Sequence, residues 1–275
     1  MLFTKMHGLG NDFIVIEDNG MDDNDYSTLA SKLCHRHFGI GADGILVVKK
    51  SEIADSKMLI FNSDGSQAEM CGNGLRCYAK YLYDNNVVRK NPMTIDTLDG
   101  VKKVLIEEKN NEANKVQINM GKPILEPSVI PANFTENIIN TKITADGEEF
   151  QITSMLMGVP HTIVFVEDFD NTDFEGIGKR IENSSYFPKK TNVNFVKVMN
   201  GKEFKIRTWE RGAGLTLACG TGACAALVAC ALNNKTGKEA LAHLAGGDLH
   251  IIWDDSNDVY MTGPAITVFK GESFI

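Results

Sequence analysis

Cys71-Gly72-Asn73-Gly74-Leu75-Arg76-Cys77 and Cys219-Gly220-Thr221-Gly222-Ala223-Cys224-Ala225 are two versions of one phrase, Cys-Gly-x-Gly running into a helical pattern. They start at 71 and 219, a spacing of 148 in a chain of 275 residues. A phrase recurring at about half the chain length predicts two domains of one design, each offering a cysteine at a helix entrance. Outward from these loops, helices are expected over Leu75–Asn85 and Ala223–Leu232. The second is almost wholly apolar, so it should be buried on most sides. Weaker helical patterns cover Thr28–His37, with Gly39 as a stop, and Asp173–Asn183, which carries Gly176 and Gly178. Elsewhere short β-branched runs bounded by Gly, Asn, Asp or Pro predict strands. These are Phe13–Glu17, Ile45–Lys49, Lys57–Phe61, Met93–Thr97, Val101–Glu107, Lys115–Asn119, Phe150–Leu156, Thr162–Glu167, Val193–Val198, Glu203–Trp209, Leu249–Trp253, Val259–Thr262 and Ile266–Phe269. Many strands per helix point to an α+β fold. The loop Met120–Pro123 marks the expected boundary, and the last strand, after Gly263-Pro264, is expected to return to the first domain. The domains would then be 1–119 plus 263–275, carrying Cys71, and 120–262, carrying Cys219.

Composition removes several classes of function. The formal charge of −8 and the pI near 5.3 give no basic face for nucleic acid. The longest strongly apolar run, Ala223–Leu232, is about half of what a membrane span needs. The start, Met1-Leu2-Phe3-Thr4-Lys5, lacks the apolar stretch of a signal peptide. A cytoplasmic protein with reduced thiols is therefore expected. Of the six cysteines, no two are spaced Cys-x-x-Cys, and His35 and His37 do not share a helix face. No metal site is expected. Gly39-Ile40-Gly41-Ala42-Asp43-Gly44 matches a dinucleotide fingerprint in letters but follows a helix and opens a strand, the reverse of the order such a site needs. It reads as a helix stop and tight turn, and no cofactor is expected.

A thiol at a helix N-terminus meets backbone N–H groups and the positive end of the helix dipole, which favour thiolate. The same N–H groups cradle an anion, and the glycines let the ligand approach the backbone. Two such loops facing one cleft would hold a carboxylate between two helix ends, with a sulfur on each side of the adjacent carbon. That arrangement suits removing a proton from one face and returning one to the other, so that a stereocentre inverts, with the charge developing on the carboxylate held by fixed N–H dipoles. Cysteine is also commonly a buried packing residue. That reading holds for Cys34, Cys77, Cys224 and Cys230, whereas two matched loops favour function at Cys71 and Cys219.

The chain resembles the diaminopimelate epimerases over nearly its whole length. The resemblance is carried by Phe3-Thr4-Lys5-Met6-His7-Gly8-Leu9-Gly10-Asn11-Asp12-Phe13, by Phe61-Asn62-Ser63-Asp64-Gly65-Ser66 with Glu69 to Cys77, and by Trp209-Glu210-Arg211-Gly212-Ala213-Gly214 with Ala218 to Cys224. The paired loops also fit proline racemase relatives, but those usually carry His where this chain has Asn73. The resemblance implies two similar β-barrel-like domains, each around a central helix, with the active site in the cleft between them. It implies Cys71 and Cys219 as acid and base, and substrate contacts from Asn11, Asn62, Gly72, Asn73, Asn192, Glu210, Arg211, Gly220 and Thr221. Their types suit a substrate with an ammonium and a carboxylate at each end, since Arg forks onto carboxylates and Glu pairs with ammonium. On residue type alone, Asn11 and Asn62 read equally as turn residues, and Glu210 and Arg211 as an exposed charge pair. In Met157-Gly158-Val159-Pro160-His161, His161 resembles a residue that orients or tunes a cysteine, a task Glu210 would share. A homodimer is implied only by the resemblance.

Three positions depart from the common pattern of that family: Val159 where many members carry Asn, Leu215 where many carry Glu, and Gly44 where some carry Gln. The expected function is cofactor-independent epimerisation of LL-diaminopimelate to the meso form, in lysine and peptidoglycan-precursor synthesis. Val159 and Leu215 keep open a racemase for another amino acid. A binding protein or thiol-redox protein with a reversible Cys71–Cys219 disulfide is the reading from another class.

Overall fold

Strands and helices resolve into two units in the computed structural model, which describes residues 1–274. Unit 1 holds Met1–Asn119 and the chain from Thr262 onward, and unit 2 holds Met120–Met261. Unit 1 runs β1 (Leu2–Gly8), β2 (Asn11–Glu17), α1 (Asp23–Leu33), β3 (Gly44–Lys49), β4 (Ser56–Asn62), β5 (Gln67–Ala68), α2 (Gly72–Asp84), β6 (Met93–Thr97), β7 (Gly100–Lys109) and β8 (Glu112–Asn119). Unit 2 runs β9 (Thr141–Ala145), β10 (Glu148–Met157), β11 (Val159–Phe165), α3 (Phe174–Glu182), β12 (Asn192–Asn200), β13 (Glu203–Glu210), β14 (Gly214–Thr216), α4 (Gly220–Leu232), β15 (Glu239–Leu244) and β16 (Gly247–Trp253). The chain leaves unit 2 along β17 (Val259–Pro264), and β18 (Ile266–Glu272) pairs antiparallel with β1.

The two units share one wiring. In unit 1, β1–β2 is antiparallel, β2–β3 parallel across α1, β3–β4 and β4–β5 antiparallel, β4–β6 parallel across α2, and β6–β7 antiparallel. Unit 2 repeats this as β10–β11 antiparallel, β11–β12 parallel across α3, β12–β13 and β13–β14 antiparallel, β13–β15 parallel across α4, and β15–β16 antiparallel. Each parallel step needs a crossover long enough to carry the chain back, and in each unit a helix supplies it. The fold is thus α+β, built from two like halves.

The second crossover helix lies inside each sheet. Every residue of α2 from Asn73 to Tyr83 is buried, and the helix packs against β1, β2, β3, β4, β7 and β8. In α4 every residue from Gly222 to Cys230 is buried, against strands from β10 to β16. A helix covered on all sides needs either apolar residues or satisfied polar ones. Helix α4 takes the first course, with Ala, Leu, Val and Cys. Helix α2 takes the second: Lys80 donates to the Ala113 carbonyl at 2.6 Å and pairs with Asp84 at 2.7 Å, and the Tyr78 hydroxyl donates to the Lys57 carbonyl at 2.6 Å. Cys34, Cys77, Cys224 and Cys230 are buried in these cores. No helix among the described residues is long and apolar enough to cross a membrane.

Several elements differ from the sequence pattern. The first helix is Asp23–Leu33, not Thr28–His37. Asp22 caps it by accepting the Asp25 N–H, and Asp23 and Asp25 favour the positive end of its dipole. Its buried stripe is Tyr26, Ala30 and Leu33. It ends where Ile40 and Gly41 donate to the Leu33 carbonyl, and a side chain on Gly39 would run into the Lys32 and Leu33 carbonyl oxygens. The Gly39–Gly44 segment is therefore a helix stop. Helices α2 and α4 begin three residues before their apolar patterns, because the cysteines themselves are the caps. Strands β1, β5, β9, β14 and β15 have no strong pattern. In β15 the residues Glu239-Ala240-Leu241-Ala242-His243-Leu244 favour helix intrinsically, and pairing with β13 and β16 overrides that preference.

Candidate active site

In unit 1 the backbone of Cys71 is extended (φ −144°, ψ 118°), and its sulfur accepts the Gly74 N–H at 3.4 Å as the cap of α2. A side chain on Gly74 would touch Leu46, Phe13 and Cys71 itself, so glycine allows the close approach of the first turn. Cys71 Sγ lies 3.6 Å from Asn11 Oδ1, as its donor. Asn73 Nδ2 donates to the same oxygen at 3.2 Å, and Arg76 Nη2 donates to Asn73 Oδ1 at 2.9 Å. Arg76 is fully buried and also donates to the Pro264 carbonyl at 3.1 Å. Asn11, Asn73 and Cys71 are therefore one cluster, and Gly72 opens the helix beside it. Asn62 is not drawn into that cluster: its Nδ2 donates to Ser66 Oγ at 2.9 Å, inside its own turn.

In unit 2 Cys219 caps α4 with an extended backbone (φ −119°, ψ 108°). Its sulfur lies 3.5 Å from Thr221 Oγ1, which lies 3.0 Å from His161 Nε2. His161 Nδ1 lies 3.1 Å from Asn194 Nδ2, which also reaches the Thr162 carbonyl at 3.4 Å. Because a carbonyl only accepts, the Asn194 amide nitrogen must point this way, and Thr208 Oγ1 donates to its oxygen at 2.9 Å. His161 Nδ1 is then an acceptor, its proton sits on Nε2 and goes to Thr221 Oγ1, and the Thr221 hydroxyl is left to donate to Cys219. Burial, with the Arg211 charge, holds His161 down to about 3, and an N–H donated to its neutral ring by Asn194 favours the same state. Burial pushes the Glu210 carboxyl up, against hydrogen bonds from Thr216, which donates at 2.6 Å, and from Cys219.

Cys219, Gly220, Thr221, His161 and Glu210 thus form the second cluster. Asn192 Oδ1 accepts the Arg211 N–H at 2.9 Å, while the Arg211 guanidinium reaches the Lys189 carbonyl at 3.3 Å. Glu210 and Arg211 do not bond to each other; each is held elsewhere. Asp43, Asn194 and Thr208 support the clusters; Asp43 lies in the Gly39–Gly44 stretch read from sequence only as a helix stop and turn, and Asn194 and Thr208 carry no sequence motif. The one signal for Asn194 is its place two residues after Asn192, on the same face of β12.

His161, neutral in the fold, has a consequence for stability. Between its folded value of about 3 and its ordinary 6.5 the unfolded chain binds more protons, so stability rises with pH and is lost as pH falls below 6.5. Wild type is expected to lose about 2 kcal/mol from this group by pH 5. In denaturant titrations His161→Gln should lose less stability than wild type over that interval.

Each cluster presents a sulfur beside helix-entrance N–H groups, a pairing suited to holding a carboxylate and moving a proton. The family model described as diaminopimelate epimerase matches residues 3–126 and 153–268. The diaminopimelate epimerase of Desulfitobacterium hafniense is 48% identical over 275 residues, covering 98% of this chain and 97% of that one. The diaminopimelate epimerase of Caldanaerobacter subterraneus subsp. tengcongensis is 50% identical over 273 residues, covering 99% of each. Among solved structures, a probable proline racemase from Agrobacterium radiobacter matches with a TM-score of 0.71 at 13% identity, covering 100% of this chain and 93% of that one. A hydroxyproline epimerase from Agrobacterium vitis matches with a TM-score of 0.68 at 14% identity, covering 98% and 91%. At such identities these structures share the fold.

Proposed function

Because this chain belongs to the diaminopimelate epimerase family, we propose that it inverts an α-carbon of LL-2,6-diaminopimelate to give the meso form, with Cys71 and Cys219 as the acid/base pair and no cofactor. The observation that carries the mechanism is the matched pair of cysteines, each the cap of the second crossover helix in units of one wiring. In the forward direction one sulfur, as thiolate, takes the α-proton from one face of the carbon. The other sulfur, as thiol, returns a proton to the opposite face. The electron pair left on carbon spreads into the α-carboxylate, whose growing charge is held by N–H groups at the Gly72–Asn73 and Gly220–Thr221 entrances. After one turnover the two sulfurs have exchanged protonation states, and the reverse reaction uses them in the opposite roles. Asn11, Asn62, Asn192, Glu210 and Arg211 are proposed to hold the ammonium and carboxylate groups of the substrate, and His161, through Thr221, to tune Cys219.

Incubating the reduced protein with LL-diaminopimelate in deuterium oxide should give the meso isomer with one deuterium at the inverted carbon. Neither inversion nor exchange would overturn the reading. Val159, which opens β11 two residues before His161, and Leu215, half exposed on β14, favour one alternative: the same reaction on another amino acid. Faster exchange with a one-carboxylate amino acid in the same assay would select it.

A further inference from the structure

We propose that Asp43 is a positioning residue of this reaction: it holds the Asn11 amide with its oxygen toward Cys71, so that Asn11 accepts the thiol proton and Cys71 rests as the acid. The proposal rests on Cys71 being one of the two proton-moving sulfurs. An asparagine has two unlike ends. An amide oxygen beside a sulfur bonds only if the sulfur carries its proton, whereas an amide N–H bonds better to a thiolate. Which end of Asn11 faces Cys71 therefore decides which state of the sulfur is favoured.

Two contacts act together on that end, one setting which atom turns inward and one anchoring the side chain in place. From one side, the Arg76 guanidinium only donates, so Asn73 must turn its oxygen to Arg76 Nη2 and its nitrogen toward Asn11. Asn11 must answer with oxygen. From the other side, the Asp43 carboxylate only accepts, and Asn11 Nδ2 donates to its Oδ2 at 2.8 Å. Asn11 must present nitrogen there and oxygen at its other end. Both constraints give one orientation, with Oδ1 3.6 Å from Cys71 Sγ. The run from Arg76 to Asp43 is thus a directional chain of hydrogen bonds, from a group that only donates to a group that only accepts.

Asp43 is itself braced. Its Oδ2 also accepts the Asp12 N–H at 3.1 Å, its Oδ1 takes Arg36 Nη2 at 2.7 Å, and its own N–H donates to the Asp12 carbonyl at 2.9 Å. Arg36 bonds Asp12 as well, at 2.9 Å, and Lys5 pairs with Asp12 from β1. Against the cost of burial, Arg36 and Lys5 hold the Asp12 carboxyl down to about 2, so Asp12 stays ionised well below neutral pH. The charged groups facing the cluster are then Arg76 from α2, Asp12 from β2, Lys5 from β1, and Arg36 and Asp43 from the segment between α1 and β3.

The test is the pH dependence of Cys71 alkylation by iodoacetamide, read at the Cys71 peptide by mass spectrometry. Losing one neutral hydrogen bond to the thiol should lower the midpoint by about half to one pH unit. Asn11→Ala is expected to show that shift in full. Asp43→Ala leaves Asn73 to turn the Asn11 oxygen inward but removes the anchor on Nδ2, so Asn11 swings off the sulfur; it should shift in the same direction, by no more than Asn11→Ala, and the double variant no further than Asn11→Ala alone. Asp43→Asn is the rescue. It loses the charge and the Arg36 bond, which exposed Arg36 still makes to Asp12, but with its amide oxygen turned inward it keeps an acceptor for Asn11 Nδ2 and the Asp12 N–H, so its midpoint should stay within about 0.2 unit of wild type. A wild-type midpoint in Asp43→Ala, or an Asp43→Asn midpoint displaced as far as that of Asp43→Ala, overturns the proposal, the second because charge rather than amide orientation would then govern the sulfur. If Asp43→Ala does not fold, Asp43→Ser, whose shorter hydroxyl does not reach Asn11 Nδ2, takes its place: a lowered midpoint supports the proposal, and a wild-type midpoint overturns it. Absence of deuterium exchange in wild type would sink the epimerase reading separately and leave the alkylation result standing.

Discussion

Replacing Cys71 or Cys219 by alanine is expected to lower the rate of inversion at least a thousandfold while leaving the fold intact. A positioned acid or base contributes roughly a hundred- to ten-thousandfold, and inversion needs both in the same turnover. For the same reason the double variant should be scarcely worse than either single one, since groups that act as a unit do not add. The structural cost is small. Alanine at 71 loses a sulfur that accepts one N–H, a weak cap, and Cys219 makes no side-chain cap bond at all. Stereochemical assay with circular dichroism on each variant checks this. Inversion within tenfold of wild type in either would overturn the two-thiol mechanism. Cys77→Ala and Cys230→Ala serve as controls. Both thiols are buried, and burial pushes each up to about 12, so they should remain protonated and inert.

Gly222→Ala carries the second large effect. A methyl at this position would overlap Asn194 Oδ1 and lie 3.2 Å from Thr208 Oγ1 and 3.3 Å from the Cys219 Cβ. Alanine suits a helix better than glycine by about 1 kcal/mol. The overlap should reverse that gain, with a net loss of about 1–3 kcal/mol. It should also push Asn194 off His161 and free the histidine to take another tautomer, for an expected fall in kcat of a hundredfold or more. Adding Asn194→Ala removes the overlap, so the pair should regain stability without regaining activity. Gly237→Ala, whose added carbon would meet nothing within 4 Å, should leave both unchanged. Denaturant midpoints and steady-state rates on the three proteins separate the steric cost from the lost hydrogen bond.

Why some of this was legible in the chain and some was not follows from the range of the interactions. The two Cys-Gly-x-Gly phrases are local: an extended cysteine, a glycine-rich first turn and an apolar helix are set by neighbouring residues. Helix α3 is local too. Its caps Asp173 and Asn183 stand at the ends of the pattern, and Asp173 accepts the Gly176 N–H at 2.9 Å. Helix α1 was displaced by five residues at its start, because the leucine spacing is ambiguous there and the acidic cap outweighs it. Strand β15 was invisible because its residues favour helix, and only two neighbouring strands make it extended.

The site divides the same way. Residue types at the two helix entrances, and the departures at Val159 and Leu215, can be read directly from the chain. The partners of those residues cannot. Asp43 is 32 residues from Asn11, Asn194 is 33 residues from His161, and each pair meets only because a parallel step sets two distant strands side by side. By itself the sequence determined the α+β pattern, the doubled Cys-Gly-x-Gly loop and so the kind of chemistry, since backbone conformation and thiol placement are short-range properties. Only the tertiary structure decided which way Asn11 and Asn194 point and which nitrogen of His161 holds its proton. Those choices depend on donors and acceptors that long-range strand pairing brings within hydrogen-bonding distance.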